Sequence, residues 1–281
     1  MAIELLAEIP APLKEIPQPP KQLYVDGILP DTTTYVFVAF VGSRRYTNYG
    51  KQVCEDMIAA LSGTNAVVVS GLAIGIDGIA HRAALNAGVP TVAVPGSGLD
   101  RRVLYPSRHC ALANEIVEKG GALLSELSPT ERASTWSFPK RNRIMAGLSQ
   151  VVFVIEAGEK SGTLITSRLA TDYNRTVFTV PHPIYSPTAV GPHMLLRLGA
   201  TPITSTDIFL EELGVEKKAG AVERLDVSDA ERAIIKALEE PQTIDDLSEK
   251  INVSTSMLSS TLMLMEIKGL VIERLGKYQR I

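Results

Sequence analysis

The sequence has few cysteines and lacks a long apolar run. Cys54 and Cys110 are its two cysteines, too few for a disulfide framework, and they do not have the spacing of a zinc site. No stretch approaches the roughly 20 apolar residues that a membrane span requires. The N-terminus also lacks the basic region and apolar stretch of a signal peptide. We therefore expect a cytoplasmic protein that does not enter a membrane.

The sequence also has few aromatic residues and a small net charge. Aromatic residues make up 5% of the 281 residues, and the formal net charge is −3. Domains that bind nucleic acids are usually basic, so the total charge argues against a polyanionic ligand. The charge is unevenly distributed, however, because residues 132–155 include four basic residues and no acidic one. A phosphate would respond to this local charge rather than to the total.

Apolar, β-branched segments alternate with segments of helical spacing between residues 36 and 213. Strands are predicted at Tyr35–Val41, Ala66–Ser70, Pro90–Val94, Ala122–Leu124, Val151–Ile155 and Thr176–Val180, and helices at Tyr49–Leu61, Asp77–Ala87, Arg108–Glu118, Arg141–Leu148 and Thr163–Tyr173. Strands that are apolar on both faces and separated by helices form parallel sheets covered on both sides. The pattern therefore predicts an α/β, Rossmann-like domain, with ligands beyond the carboxyl ends of its strands.

The flanking regions have different patterns. Residues 1–35 are rich in proline and are predicted to form an N-terminal arm with a short strand and turn, and residues 214–227 a linker. Residues 228–281 have the three helices and the hairpin of a small winged helix-turn-helix domain. Its candidate recognition helix, Thr255–Lys268, has no arginine, which favours weak DNA contact or protein contact over a transcriptional repressor.

Glycine and basic residues follow several of the predicted strands. Glycine permits tight turns, a helix N-terminus favours an anion, and guanidinium groups suit phosphate. The candidate residues in the first three loops are Gly42, Ser43, Arg44 and Arg45, then Gly71 and Gly75, then Gly96, Gly98, Arg101 and Arg108. Taken singly, each loop is also consistent with a structural turn or with solvated surface arginines.

Two further segments have the same character. Lys140, Arg141, Asn142 and Arg143 are predicted at a helix start, where cations oppose the helix dipole and an anionic partner would compensate. Trp136 and Phe138 precede them and could stack on bases, although packing in the core is the favoured interpretation. Ser161, Gly162 and Thr163 enter another helix and resemble a phosphate-binding loop, but the GxxxxGK[ST] order of a P-loop is absent.

Together these motifs closely resemble the DprA/Smf (DNA processing protein A) family. The resemblance runs from about Pro12 to Leu213 and rests on Val41-Gly42-Ser43-Arg44, Ser70-Gly71-Leu72-Ala73-x-Gly75-Ile76-Asp77, Gly96-Ser97-Gly98-Leu99-Asp100, Tyr105-Pro106, Phe138-Pro139-x-Arg141-Asn142-Arg143-Ile144 and Ser161-Gly162-Thr163-Leu164-Ile165-Thr166. It implies an extended Rossmann fold that binds single-stranded DNA in a basic pocket and forms a homodimer. It also implies delivery of the strand to the RecA recombinase during natural transformation.

By motif position, the resemblance places Gly42, Ser43, Arg44, Arg141, Asn142 and Arg143 in the DNA pocket. Members of the family often have a lysine directly after the Tyr-Pro pair. This chain has Ser107 there, and Arg101 and Arg108 are the candidate replacements for the missing cation.

The main alternative is a nucleoside-monophosphate phosphoribohydrolase on a related fold. Those enzymes carry PGGxGTxxE at the place of Gly158–Thr166 and need a carboxylate where this chain has Thr166. The histidines show no metal-ligand spacing, and no GxGxxG motif for a dinucleotide is present. We therefore predict a non-enzymatic protein that binds single-stranded DNA and needs neither a metal nor a cofactor.

Overall fold

The structure is a computed structural model that describes residues 3–159, 161–215, 228–238, 240–267, 270–274 and 276–280. The chain divides into two compact units, residues 1–221 and residues 222–281.

The first unit contains a sheet of nine strands. The strands are β1 (Glu4–Leu5), β2 (Tyr24–Gly27), β3 (Val36–Val41), β4 (Ala66–Ser70), β5 (Thr91–Ala93), β6 (Ala122–Ser125), β7 (Val151–Val154), β8 (Thr176–Thr179) and β9 (Thr201–Pro202). Their order is β1-β2-β6-β5-β4-β3-β7-β8-β9. The strands from β6 to β9 are parallel to their neighbours, whereas β2 pairs antiparallel with both β6 and β1.

Helices cover both faces of this sheet. They are α1 (Ala11–Lys14), α2 (Asn48–Ala60), α3 (Ile76–Asn86), α4 (Cys110–Glu118), α5 (Ser137–Leu148), α6 (Thr163–Asp172), α7 (Val190–Arg197) and α8 (Thr206–Leu213). Because successive side chains of a strand point to opposite faces, β3 contributes to two cores. Phe37 and Ala39 pack with residues of α5 and α6, whereas Val38 and Phe40 pack with residues of α2, α3 and α8.

The predicted α/β fold is confirmed, with two shifts at helix starts and one at the N-terminus. Helix α5 begins four residues before the predicted start at Arg141, and α4 begins at Cys110 after a 3-10 turn over Ser107–His109. The segment predicted as an N-terminal arm supplies β1, α1 and β2 to the domain. It does so because apolar side chains such as Leu13 and Leu23 are fully buried in the core.

The strand order reverses direction at β3. The chain proceeds from β3 through β4 and β5 to β6 on one side, and from β7 through β8 to β9 on the other. The loops after β3 and β7 therefore lead away from each other and leave a crevice between them, which is where ligands bind in open α/β sheets.

The second unit contains helices α9 (Asp229–Ala237), α10 (Ile244–Ile251) and α11 (Thr255–Ile267) and the hairpin β10 (Val271–Arg274) and β11 (Lys277–Arg280). A capping box of Ser228 and Glu231 begins α9. Thr243 caps α10. Three helices and a hairpin around a shared apolar core are the predicted winged-helix arrangement.

Most of the predicted linker, residues 216–227, lies outside the described residues. Of its first two residues, Gly214 ends α8 in the left-handed conformation, with φ of 67°. Val215 is buried against the core of the first unit.

Candidate nucleic-acid interface

A cleft of about 490 Å³ opens at the carboxyl ends of β3 and β7, where the strand order reverses. The loop after β3, the first half of α5 and the loop that enters α6 form most of its lining. The lining includes nine of the predicted binding residues, namely Gly42, Ser43, Arg44, Arg45, Arg141, Asn142, Ser161, Gly162 and Thr163. The structure thus brings together segments that are more than a hundred residues apart in the chain.

Three helices begin at this cleft. Asp77 of α3, Phe138 of α5 and Thr163 of α6 all lie in the first turn of their helices and line the cleft. The residue that precedes each of these helices makes no side-chain capping hydrogen bond. The positive ends of the three helix dipoles therefore favour an anion in the cleft.

The loop after β3 is a tight turn that packs on the start of α3. A Cβ atom on Gly42 would lie 2.6 Å from Cγ1 of Ile76, so this close approach requires glycine. The Ser43 hydroxyl accepts a hydrogen bond from the Arg45 N–H at 3.0 Å and donates to the Arg45 carbonyl at 2.8 Å. The hydroxyl thus stabilises the turn, and the side chains of Arg44 and Arg45 are left exposed.

The loop that enters α6 is tied to the other two segments of the cleft. Thr163 Oγ1 donates to the Gly42 carbonyl at 3.1 Å and accepts from the Ser161 hydroxyl at 3.0 Å. Asn142 Nδ2 donates to the Gly162 carbonyl at 3.4 Å. These bonds hold the loops after β3 and β7 against α5, so the three segments form one site.

Arg141 is the partly buried cation of this site. Its guanidinium donates to the Val94 carbonyl, and its Nε–H has no hydrogen-bond partner among the described residues. Burial, together with the nearby charge of Arg44, lowers the pKa of Arg141 to about 10, although the charge of Asp77 acts in the opposite direction. Arg141 therefore remains protonated at neutral pH.

Asp77 is the acidic residue beside Arg141. Its carboxylate is buried and accepts a hydrogen bond from the Gly71 N–H at 3.2 Å. Burial raises the pKa of Asp77, whereas the charge of Arg141 lowers it. Gly75, with φ of 92°, precedes α3, and a Cβ atom there would lie 2.3 Å from the Ser43 carbonyl oxygen. Gly71 and Gly75 thus allow the segments behind the cleft to pack closely against Arg141 and Ser43.

Two of the predicted cations on α5 face away from the cleft. Arg143 is buried, and its guanidinium binds the Glu126 carboxylate and the Gln18 carbonyl. Lys140 lies 3.5 Å from the same carboxylate. Because α5 begins at Ser137, Arg141 and Arg143 belong to its second turn. The Glu126 carboxylate pairs with Arg143 and lies near Lys140. The expectation that three cations lie in the first turn of this helix was therefore wrong, since only Lys140 lies there.

The third loop also lies outside the cleft. Arg101 lies in a separate depression beside β2 and α4. Its guanidinium forms an ion pair with the Asp26 carboxylate at 2.7 Å and donates a hydrogen bond to Oδ1 of Asn114 at 2.7 Å. Arg108 is exposed in the 3-10 turn and is not among the residues that line the cleft. Gly98 packs on the backbone of Ser128 and Pro129. Neither candidate replacement for the cation missing at Ser107 lines the cleft.

Aromatic side chains surround the start of α5. Phe138 lines the cleft, its ring lies 5.6 Å from that of Tyr105, and the Arg44 guanidinium lies 5.8 Å from its centre. Gly96 permits this arrangement, since a Cβ atom there would lie 2.5 Å from Cδ1 of Phe138.

Trp136 is 55% exposed, so the favoured expectation of core packing was wrong for this residue. The spacing of Phe138, Arg141 and Met145, which share one face of α5, could have identified the cleft face.

The described part of the chain contains no group of three or more histidine, cysteine or acidic side chains placed to hold a metal ion. Among the same residues, no helix has the length and apolar character that crossing a membrane would need.

Two protein-family models together match nearly the whole length of the chain. The model of the family described as DNA recombination-mediator protein A matches residues 3–214, and the model of the DprA winged helix domain matches residues 219–277. The two matches correspond to the two units of the structure and include every segment that lines the cleft.

Curated proteins of several bacteria are similar to this chain. Protein Smf of Escherichia coli is 41% identical over 194 residues, which are 69% of this chain and 51% of that protein. DNA processing protein DprA of Bacillus subtilis is 39% identical over 201 residues, which are 72% of this chain and 67% of that protein. The chain thus spans about half the length of its Escherichia coli relative.

Two solved structures are similar to about three quarters of this chain. The crystal structure of DNA processing protein A from Streptococcus pneumoniae has a TM-score of 0.68 and 37% identity, over 75% of this chain and 74% of that chain. The structure of the Helicobacter pylori protein has a TM-score of 0.69 and 33% identity, over 75% of this chain and 95% of that chain. The latter is described as giving insight into a single-stranded DNA binding mode.

Proposed function

Because this chain belongs to the DNA recombination-mediator protein A (DprA/Smf) family, we propose that it binds single-stranded DNA in the cleft between the loops after β3 and β7. The phosphates lie against Arg44, Arg45 and Arg141 and against the N-termini of α3, α5 and α6.

The observation that carries this proposal is the convergence of arginine side chains with the N-termini of three helices. The N-terminal end of each helix carries a partial positive charge, and guanidinium groups form paired hydrogen bonds with phosphate. Such groups bind the backbone of a nucleic acid and carry no information about base sequence. Binding is therefore tolerant of sequence.

We propose that the protein is not an enzyme. Asp77 is the acidic residue among the described residues that line the cleft, and its carboxylate is already bound by the Gly71 N–H. Glu156, which follows β7, is fully buried and accepts hydrogen bonds from Thr47 and Thr188. The position that a phosphoribohydrolase would need for its carboxylate is occupied by Thr166.

The remaining parts of the proposal follow from the family alone. We propose that the protein acts in the cytoplasm as a homodimer and delivers the bound strand to the RecA recombinase during natural transformation. Membership in a family of DNA recombination mediators supports the delivery to a recombinase. The winged-helix unit adds a weak DNA contact or a protein contact.

Binding curves for single-stranded and double-stranded DNA of equal length, measured across a salt series, test this function. We expect tighter binding of the single strand and a decline of log affinity with log salt of about 0.7 per phosphate neutralised. The variant Arg141→Ala should bind more weakly and lower this slope, whereas Arg168→Ala, which removes an exposed arginine on α6 outside the cleft, should leave both unchanged.

Equal affinity for single and double strands, or an unchanged slope in Arg141→Ala, would contradict the proposed cleft. A second assay addresses the alternative function. The purified protein is incubated with adenosine monophosphate, and we expect no release of free base. Detection of adenine would instead favour the phosphoribohydrolase.

A further inference from the structure

Trp136 is exposed at the start of α5, although large aromatic side chains usually lie in the interior. It is the single tryptophan of the sequence, and 55% of its side chain is exposed. The Lys140 ammonium group, one helical turn further along α5, lies 5.8 Å from the centre of its ring. Trp136 and Lys140 thus form an aromatic–cation pair on the surface.

A pair of the same kind lies in the cleft, at the other side of the same helix start. The Arg44 guanidinium lies 5.8 Å from the centre of the Phe138 ring. Phe138 is two residues after Trp136 in the chain, but it lies on the face of α5 that lines the cleft, whereas Trp136 does not line the cleft. Two aromatic–cation pairs therefore flank the N-terminus of α5.

Lys140 is held beside the tryptophan ring by a second contact. Its ammonium group lies 3.5 Å from the Glu126 carboxylate, and 44% of its side chain remains exposed. Glu126 also binds Arg143, so its negative charge is shared between two cations. The ammonium group is consequently positioned near Trp136 and still accessible to an anion.

We propose that Trp136 and Lys140 form a second subsite for the same single strand, in which a base stacks on the indole ring and the neighbouring phosphate pairs with Lys140. This inference rests on the proposed function. An aromatic face and an adjacent cation are the two groups that bind single-stranded DNA without sequence preference. The bases of a duplex are paired and stacked, so the subsite selects a single strand that leaves the cleft over the start of α5.

Intrinsic fluorescence tests this subsite directly, because emission from tryptophan reports on position 136 alone. The full chain is titrated with oligothymidylates of about 4 and about 20 nucleotides, the range of single-strand site sizes being about 4–16 nucleotides for one domain. We expect the longer strand to quench the emission more strongly than the shorter one, because only the longer strand extends from the cleft to Trp136.

Affinity measurements on variants complete the test. Trp136→Ala should weaken binding of the longer strand about 10-fold, as expected for the loss of one stacked base, and should leave the binding of the shorter strand unchanged. Trp136→Phe, which retains an aromatic face, should bind the longer strand nearly as well as the original chain. Because Trp136 is exposed, circular dichroism should show the same fold for all three proteins.

The results separate this inference from the proposed function. Binding of both strands without any change in tryptophan emission, with full affinity in Trp136→Ala, would overturn the subsite and leave the cleft in place. The same holds if the emission changes only with protein concentration in the absence of DNA, since Trp136 would then contact a second copy of the chain. Failure of the original chain to bind either strand would overturn the proposed function itself.

Discussion

Gly71 and Arg141 are in direct contact behind the cleft. A Cβ atom on Gly71 would lie 1.9 Å from Nη1 of Arg141 and 2.5 Å from Oδ2 of Asp77. The guanidinium occupies the space that a side chain at position 71 would fill, while its Nη1 donates to the Val94 carbonyl. The absence of a side chain at the end of β4 therefore determines where the guanidinium of α5 lies, and Gly71 is expected to affect DNA binding without touching DNA.

Replacing Gly71 with alanine should move the Arg141 guanidinium and weaken the binding of single-stranded DNA about 10-fold, the effect of losing one charge-assisted hydrogen bond. The measurement is a double-mutant cycle with Arg141→Ala. Because the substitution acts through Arg141, Gly71→Ala should cause little further loss once Arg141 has been removed. Additive losses in the two variants would show that Gly71 acts independently of Arg141.

Arg143→Ala should behave differently from Arg141→Ala, although the two arginines are two residues apart. The Arg143 guanidinium binds the Glu126 carboxylate in the interior, so its removal should lower the free energy of unfolding by about 3 kcal/mol. The salt dependence of DNA binding by the folded variant should not change. Urea unfolding and a salt titration measure the two effects, and a lowered salt slope in Arg143→Ala would place its charge in the cleft after all.

The Thr163 hydroxyl links the loops after β3 and β7, because it donates to the Gly42 carbonyl at 3.1 Å. Thr163→Val should lower the free energy of unfolding by about 1 kcal/mol and should also weaken DNA binding, since the two loops separate. Thr171→Val is the matched control on the same helix, because its hydroxyl donates only to the Ser167 carbonyl within α6. Equal DNA affinities of the two variants would argue against this role of Thr163.

His81 should make the protein less stable in mild acid. It is fully buried, and burial, followed by the charge of His109, lowers its pKa from 6.5 to about 3. Between these values the unfolded chain binds a proton that the folded chain does not, so the free energy of unfolding falls as the pH drops. His81→Gln removes this effect, and its loss of stability between neutral pH and about pH 5 should be smaller by about 2 kcal/mol. Urea unfolding at both pH values checks this, and an identical pH dependence in the two proteins would contradict it.

A chain that ends at Val215 should retain most of its affinity for single-stranded DNA. Val215 follows α8 and packs in the same apolar cluster as Phe209 and Leu213. All residues that line the cleft precede it. Binding assays on the shortened and full chains measure the difference. A loss of more than about 10-fold, equivalent to 1.4 kcal/mol, would assign a larger share of the binding to the winged-helix unit.

Local patterns predicted most of the secondary structure, because the period of apolar residues and the capping residues act over a few positions. The helix at α6 was predicted to within one residue. The start of α5 was predicted too late, because Pro139 is compatible with the first turn of a helix as well as with the residue before one. The contribution of residues 1–35 to the sheet depends on contacts with β6 and α5, which no local pattern contains.

Glycine and basic residues follow the strands of a parallel sheet, and this local pattern predicts an anion site at the carboxyl ends of the strands. Which of these residues lie together depends on the folded chain. Arg141 and Arg143 are equally basic and nearly adjacent, yet Arg141 lies in the cleft beside Arg44, whereas Arg143 lies against Glu126. Successive positions on a helix point about 100° apart, and the partners they meet come from distant parts of the chain. The same rotation leaves Trp136 exposed and turns Phe138 toward the cleft.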